Sequence, residues 1–119
     1  MTNQKTIFCD IDGCILWQPQ EFLEIFNKTY KPCTMLGTKE KLLEWHIKGY
    51  KIILTTGRPE SLRKLTVDSL NQLGILYDQL VMGVGSGVRI LINDREIENI
   101  DKAIAINLNR NTGLKDVEI

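Results

Sequence analysis

The sequence predicts an α/β fold: a three-layer, Rossmann-like sandwich around a parallel sheet of about five strands. Short apolar, β-prone runs alternate along the chain with segments whose apolar residues recur at helical spacing. That alternation is typical of units in which a helix connects two parallel strands. At 119 residues the chain can form one hydrophobic core, and two would each be marginal. We therefore expect a single domain over residues 1–119.

The first half of the chain predicts one strand-helix-strand unit. Residues 5–9 form a short apolar run that ends in an acidic loop with a glycine. Apolar positions within residues 42–47 then predict a helix, and Gly49 is a plausible end for it. A second buried strand is predicted at residues 51–55.

The second half predicts one more helix and three more strands. Pro59 suits the first turn of a helix, whose apolar residues are Leu62, Leu65, Leu70 and Leu73. Gly74 ends this helix. Further strands are expected at residues 79–82, 90–93 and 103–107.

Residues 14–37 have a weaker pattern than the rest of the chain. Pro19 and Pro32 interrupt the helical spacing there. We interpret this region as a short flap, an insertion that covers one face of the domain.

The charge balance argues against several classes of partner. Lys plus Arg and Asp plus Glu both number 15, so no global field attracts the chain to nucleic acid or to an anionic membrane. No apolar run approaches the roughly 20 residues of a membrane span, and we expect a cytoplasmic protein. Cys9, Cys14 and Cys33 accompany a single histidine, so reduced thiols are expected in place of disulfides or a zinc site.

Polar side chains follow three of the predicted strands. The carboxyl ends of parallel strands meet at one edge of a sheet, where ligands bind. Phosphoryl transfer requires a nucleophile, a cation and a group that handles protons, and two nearby carboxylates can divide such roles. The polar residues are Asp10 and Asp12, Thr55 and Thr56, and Asn93 and Asp94.

Three segments resemble, in order, the motifs of the haloacid dehalogenase superfamily. They are Phe8-Cys9-Asp10-Ile11-Asp12-Gly13, Leu54-Thr55-Thr56-Gly57-Arg58 and Leu91-Ile92-Asn93-Asp94. The resemblance extends from Thr6 to about Asn107. It implies a hydrolase of that fold. Because neither usual insertion point is long enough for a separate cap domain, it also implies a fairly open site.

The resemblance assigns the chemistry to the first acidic pair. It implies that Asp10 attacks phosphorus to form an aspartyl-phosphate, while Asp12 protonates the leaving oxygen and later activates water. It also implies a Mg²⁺ ion held by the Asp10 carboxylate, the backbone carbonyl of Asp12 and the carboxylate of Asp94. Asn93 would orient Asp94 or a bound water.

The resemblance also implies a phosphate-binding set. Thr56 would grip a phosphate oxygen beside Gly57, with Thr55 as the fallback. The lysine that usually precedes the last acidic motif is absent, and Arg89 is the nearby cation that we expect to replace it. Two further arginines, Arg58 and Arg110, are candidates for supporting the site or recognising the substrate.

The expected function is a magnesium-dependent phosphohydrolase acting on a small phosphorylated metabolite, such as a sugar or nucleotide phosphate. A non-catalytic module that binds a phospholigand is one alternative, and phosphoryl transfer to an acceptor other than water is another. The sequence also allows a homo-oligomer in which a neighbouring subunit narrows the opening of the site. Two purely structural interpretations are also allowed. In one, Asp10 and Asp12 only form a turn, and in the other, Thr55 and Thr56 only cap the next helix.

Overall fold

The chain folds as a small α/β domain. A computed structural model describes residues 4–27 and 29–119. Its regular elements are β1 (Thr6–Asp10), α1 (Thr38–Ile47), β2 (Lys51–Thr55), α2 (Arg63–Gln72) and β3 (Gln79–Val81). Short 3-10 segments occupy Phe22–Phe26 and Glu60–Leu62. The predicted α/β class is confirmed, and the first five predicted elements form in order.

The sheet is parallel, with the strand order β1-β2-β3. In this register Asp10 lies opposite Thr55, and Thr55 lies opposite Val81. All three residues end their strands, so the carboxyl ends form one edge of the sheet. The acidic loop after β1 and the threonine loop after β2 therefore leave the sheet side by side.

One face of the sheet is well buried. Cys9, Ile52 and Leu54 point to this face and are at most 6% exposed. They belong to a hydrophobic cluster that includes Leu42 of α1 and Leu70 of α2. Successive right-handed crossovers in one direction place their helices on the same face, which accounts for this packing.

The opposite face is largely bare. Phe8 and Val81 point to it with 56% and 43% of their surface exposed, and Ile53 between them is half-buried. Within the part of the chain that the structure describes, the sheet thus has helices on one side. The prediction of a three-layer sandwich is wrong at this point, because no described helix follows β3 to cover the second face.

The two last predicted strands do not form in the single chain. Residues 90–93 and 103–107 join no described ladder, so the sheet has three strands where about five were expected. Both runs lie in residues 83–107, which we call the arm; nearly all of it is exposed. Strand propensity alone does not make a strand, since each residue also needs a hydrogen-bonding neighbour.

The arm makes the molecule elongated. Its principal extents are 51 × 29 × 25 Å and its radius of gyration is 15.0 Å, against about 13.5 Å for a compact domain of this length. α1 and α2 have ten residues each, and no described helix has the length and apolar character needed to cross a bilayer.

After the arm, the chain returns to the body and is held there. The Asn111 N–H donates to the carbonyl of Gly13 at 2.8 Å, and the Leu114 N–H donates to the carbonyl of Leu36 at 2.9 Å. Gly113 has φ +87°, and a Cβ there would lie 2.3 Å from the Leu36 oxygen. Only glycine allows this close approach. The arm is therefore anchored at both ends.

Residues 14–37, the predicted flap, pack against the body through their ends. Leu16 bridges both Asp12 and Thr34, and the Met35 N–H donates to the Ile15 carbonyl at 2.8 Å. Ile15, Leu16 and Ile25 are fully buried. The segment thus contributes to the core beside the carboxyl edge of the sheet.

Candidate functional site

The loop after β1 is a tight turn built around one carbonyl. The Ile11 oxygen accepts hydrogen bonds from the N–H groups of Cys14, Ile15 and Leu16. Gly13 has φ +84°, and the Cγ of Arg110 lies 3.0 Å from where its Cβ would be. The turn therefore fixes Asp10 and Asp12 at the sheet edge and places the Arg110 side chain against them.

Asp12 forms a buried ion pair with Arg58. The Arg58 Nε donates to Asp12 Oδ2 at 2.8 Å, and Nη2 donates to Oδ1 at 2.7 Å. The Arg58 side chain is fully buried, and that of Asp12 is 10% exposed. Burial opposes the charge of Arg58, but the hydrogen bonds and charge of Asp12 outweigh it and raise the pKa of Arg58 above its ordinary value.

Further polar groups complete the surroundings of Arg58. Its Nη1 donates to Thr66 Oγ1 at 3.0 Å, and Nη2 donates to the Tyr30 hydroxyl at 3.1 Å. The guanidinium is thus engaged on three sides, so it supports Asp12 and is not placed to bind substrate directly. In turn, both Asp12 oxygens accept hydrogen bonds from Arg58.

Tyr30 was not predicted as a partner of this pair. Its ring centroid lies 5.9 Å from the Arg58 guanidinium carbon. Burial raises the pKa of its hydroxyl, although the charge of Arg58 acts in the opposite direction. Tyr30 and Arg58 are 28 positions apart, and no local sequence pattern signals a contact of that kind.

Asp10 is the less constrained of the two carboxylates. The residue keeps contact with solvent, while its carboxyl group is partly enclosed. This burial raises the pKa of Asp10 above its ordinary value. The Ile11 N–H and the charges of Arg89 and Arg110 lower the pKa in part, while Asp12 raises it further. The structure thus brings Asp10, Asp12, Arg89 and Arg110 together.

The two threonines differ in their availability. Thr56 is buried, and its Oγ1 accepts the N–H of Arg58 at 3.1 Å, which is a turn-capping bond. Thr55 is half-buried and lies opposite Asp10 in the register of β1 and β2. The geometry therefore puts Thr55, the fallback of the sequence analysis, nearer to the nucleophile position than Thr56.

The loop at Gly57 is closely joined to the start of the arm. The Gly83 N–H donates to the Arg58 carbonyl at 2.8 Å, and the Val84 N–H donates to the Thr56 carbonyl at 3.1 Å. A Cβ on Gly57 would lie 2.8 Å from the Gly85 oxygen. A side chain at position 57 would separate these loops, so the close approach requires glycine.

Asn93 and Asp94 lie elsewhere, at the far part of the arm. Asp94 Oδ1 is 3.8 Å from Lys102 Nζ, and its side chain is 80% exposed. These residues line a hollow of about 280 Å³ together with Arg95, Asp101, Lys102 and Ala103. Among the described residues, no three acidic, histidine or cysteine side chains gather in a metal-binding cluster.

The single chain consequently does not fit a complete magnesium site. The Asp10 carboxylate and the Asp12 carbonyl are suitable hard oxygen donors, but the Asp12 carboxylate is committed to Arg58. Asp94, the predicted third contributor, instead lies beside Lys102 in the hollow of the arm. The predicted metal set stays a prediction.

Two thiols lie beside Asp10. Cys9 is 6% exposed, as expected of a small core residue. A hydrogen bond with Cys14 is the main cause that raises the pKa of Cys9, and the same bond lowers the pKa of Cys14. The Cys9 Sγ donates a hydrogen bond to the backbone carbonyl of Asp10 at 3.4 Å.

The comparisons with known proteins support the fold alone. No family model and no curated protein matches the sequence. A solved structure of a structural-genomics target from Vibrio cholerae is similar in fold, with a TM-score of 0.53 and 19% identity. The similarity covers 79% of this chain and 83% of that one.

The buried ion pair predicts an unequal cost for two arginine substitutions. Arg58→Ala leaves the Asp12 carboxylate without its partner, so we expect a loss of about 3–5 kcal/mol in the free energy of unfolding. Arg63→Ala is the matched control, because Arg63 makes the same two-bond contact with Glu60 on the surface. Its cost should be far smaller. Equal denaturant midpoints for the two variants would contradict this assignment.

The raised pKa of Asp10 predicts a pH-dependent gain in stability on its removal. The folded chain binds a proton at Asp10 more tightly than the unfolded chain does, so ionised Asp10 destabilises the fold. Asp10→Asn should therefore be more stable than the native chain at neutral pH. The difference should disappear as the pH falls below the ordinary value of 3.8. Denaturant unfolding of the native chain and of Asp10→Asn across pH measures this, and an equal stability of the two at neutral pH would contradict it.

Proposed function

We propose that this chain is a phosphohydrolase for small phosphorylated substrates, with Asp10 as the nucleophile. The observation that carries the proposal is a partly accessible carboxylate that ends a parallel strand. Arg89 and Arg110 both act electrostatically on Asp10. The motif resemblance to haloacid dehalogenases agrees with this role but does not replace the geometry.

The charges around Asp10 suit an anionic substrate. A phosphate monoester repels a carboxylate, so attack by Asp10 requires cations that neutralise the phosphate oxygens. The influence of Arg89 on Asp10 supports the expectation that it replaces the missing lysine. An arginine can bind two phosphate oxygens at once. The Asp12–Arg58 pair carries no net charge, so it adds little repulsion.

The proposed reaction has two steps. An Asp10 oxygen bonds to phosphorus while the bond from phosphorus to the leaving oxygen breaks, and the leaving oxygen takes a proton. Water then attacks phosphorus, which releases inorganic phosphate and restores Asp10. Asp12 is the carboxylate near enough in the chain to exchange these protons, receiving one from water and returning it in the next cycle. Both of its oxygens contact Arg58, so one contact has to loosen during each proton exchange.

The same contact favours one alternative function. If Asp12 keeps both of its hydrogen bonds with Arg58, it does not exchange protons with a substrate, and the site binds phosphate without cleaving it. The alternative is therefore a phospholigand-binding module. Phosphoryl transfer to another acceptor is a further alternative, and the open position of Asp10 favours water over it.

Release of phosphate from a simple aryl phosphate tests the proposal. With magnesium supplied, the native chain should release phosphate, and Asp10→Asn should lower the rate more than about 1,000-fold. Asp68→Asn, on the exposed side of α2, should keep the native rate. Because Asp10→Asn is expected to fold more stably, unfolding would not explain its loss. Equal rates for Asp10→Asn and the native chain would end the nucleophile assignment.

A further inference from the structure

The arm contains two segments with the composition of β-strands, but neither is paired with another strand among the described residues. Its outgoing leg is residues 88–93 and its returning leg is residues 103–107. Along the legs Val88, Ile90, Ile92 and Ile104 are 81–91% exposed. Among the described residues, no backbone hydrogen bond joins either leg to the body or to the other leg. β-prone apolar runs in this state are unstable in water and require a partner.

The tip between the legs is ordered by local contacts. Glu96 and Asn99 have positive φ angles of 44° and 65°. Arg95 Nε donates to Asp101 Oδ1 at 2.9 Å, and Lys102 Nζ lies 3.2 Å from Glu96 Oε2. These bonds turn the chain back on itself, so the arm is a formed projection.

The sheet of the body has an unpaired edge that matches the outgoing leg in length. β1 pairs with β2 on one side, and its other side is a free edge within the described residues. Phe8 on that edge strand is 56% exposed on the uncovered face of the sheet. β1 has five residues, against three in the other edge strand, β3. The longer edge accommodates the outgoing leg.

The exposed area is what a second copy would cover. The chain exposes 8383 Å², whereas a compact monomer of 13.6 kDa exposes about 6,600 Å². The excess of about 1,800 Å² exceeds the roughly 800 Å² that each partner buries in a standard interface. An excess of this size, concentrated in the arm, matches an obligate dimer interface.

The junction of arm and body is suited to exchange. Residues 83–87 are rich in glycine, and Gly83 and Gly85 have φ angles of 72° and 81°. Val84 and Gly85 are held against the loop at Gly57, and Arg89 lies near Asp10. The chain therefore crosses the carboxyl edge of its own sheet and then leaves the body. Exchange of an identical element between protomers is a low-cost route to a dimer.

We propose that two copies of this chain exchange their arms, so that the outgoing leg of each pairs with the free edge of the other copy's β1. The apolar run at residues 90–92 of this leg is typical of a parallel strand buried on both faces. In a parallel pairing, Asn93 ends the leg and Asp94 follows it at the carboxyl edge, beside Asp10 of the second copy. Each site then contains an Asp10 from one chain and an Asp94 from the other.

The exchange accounts for the incomplete oxygen-donor set of the single chain. The placement of Asp94 at the second copy's site rests on the proposed function, whereas the exchange itself rests on the edge, the arm and the area. Reciprocal exchange is closed by two-fold symmetry, so it forms a dimer and leaves no arm unpaired.

Light scattering and cross-linking test the exchange without any assay of activity. The full chain should have the mass of two chains. A photo-reactive benzoylphenylalanine at Ile92 should give a covalent two-chain product, cross-linked to the peptide that contains β1. Lys64 is the matched control, since both side chains are 88% exposed, and it should give none. A one-chain mass, or a cross-link from Ile92 only within its own chain, would overturn the proposal.

Mixing two inactive variants tests the shared site. In exchanged dimers refolded from equal amounts of Asp10→Asn and Asp94→Asn, half of the dimers are mixed and one of their two sites is intact. The mixture should recover about a quarter of the native rate, while each variant alone stays near zero. No recovery from chains that do form mixed dimers would overturn the shared site.

The outcomes separate this inference from the proposed function. Two-chain mass and an arm-to-β1 cross-link without phosphate release by the native chain would support the exchange and reject the phosphohydrolase. Phosphate release by a one-chain species would support the phosphohydrolase and reject the exchange.

Discussion

The buried ion pair between Asp12 and Arg58 holds the site together. It joins the loop after β1 to the loop after β2, and through Tyr30 and Thr66 it reaches the segment before α1 and the helix α2. A buried arginine is costly unless its hydrogen bonds are satisfied, so this network strongly restricts the positions of its members. The same network leaves Asp10 as the carboxylate of the pair that is exposed to solvent.

The order of elements up to β3 could be predicted from the sequence because it depends on local patterns. Short apolar runs, a proline at the start of a helix and glycines at helix ends all act within a few residues. The arm could not be predicted in this way. Residues 90–93 have the composition of a strand, but whether they form one depends on a neighbouring edge, which composition does not contain.

The site was predictable in part for the same reason. Asp10 and Asp12 were located correctly because they follow a strand. Arg58 and Asp12 are 46 positions apart in the sequence, and no local pattern predicts their contact. The choice between Thr55 and Thr56 depended on where β2 ends: Thr55 is its last residue, opposite Asp10, and Thr56 turns inward to cap the next loop.

The proposed reaction depends on a covalent bond between Asp10 and phosphorus. Acid quenching of the native chain during turnover of an aryl phosphate, followed by peptide mass spectrometry, tests it most directly. A phosphoryl group should be found on Asp10, in the peptide that contains β1. Release of phosphate with no adduct on that peptide, or with an adduct on another residue, would contradict the account.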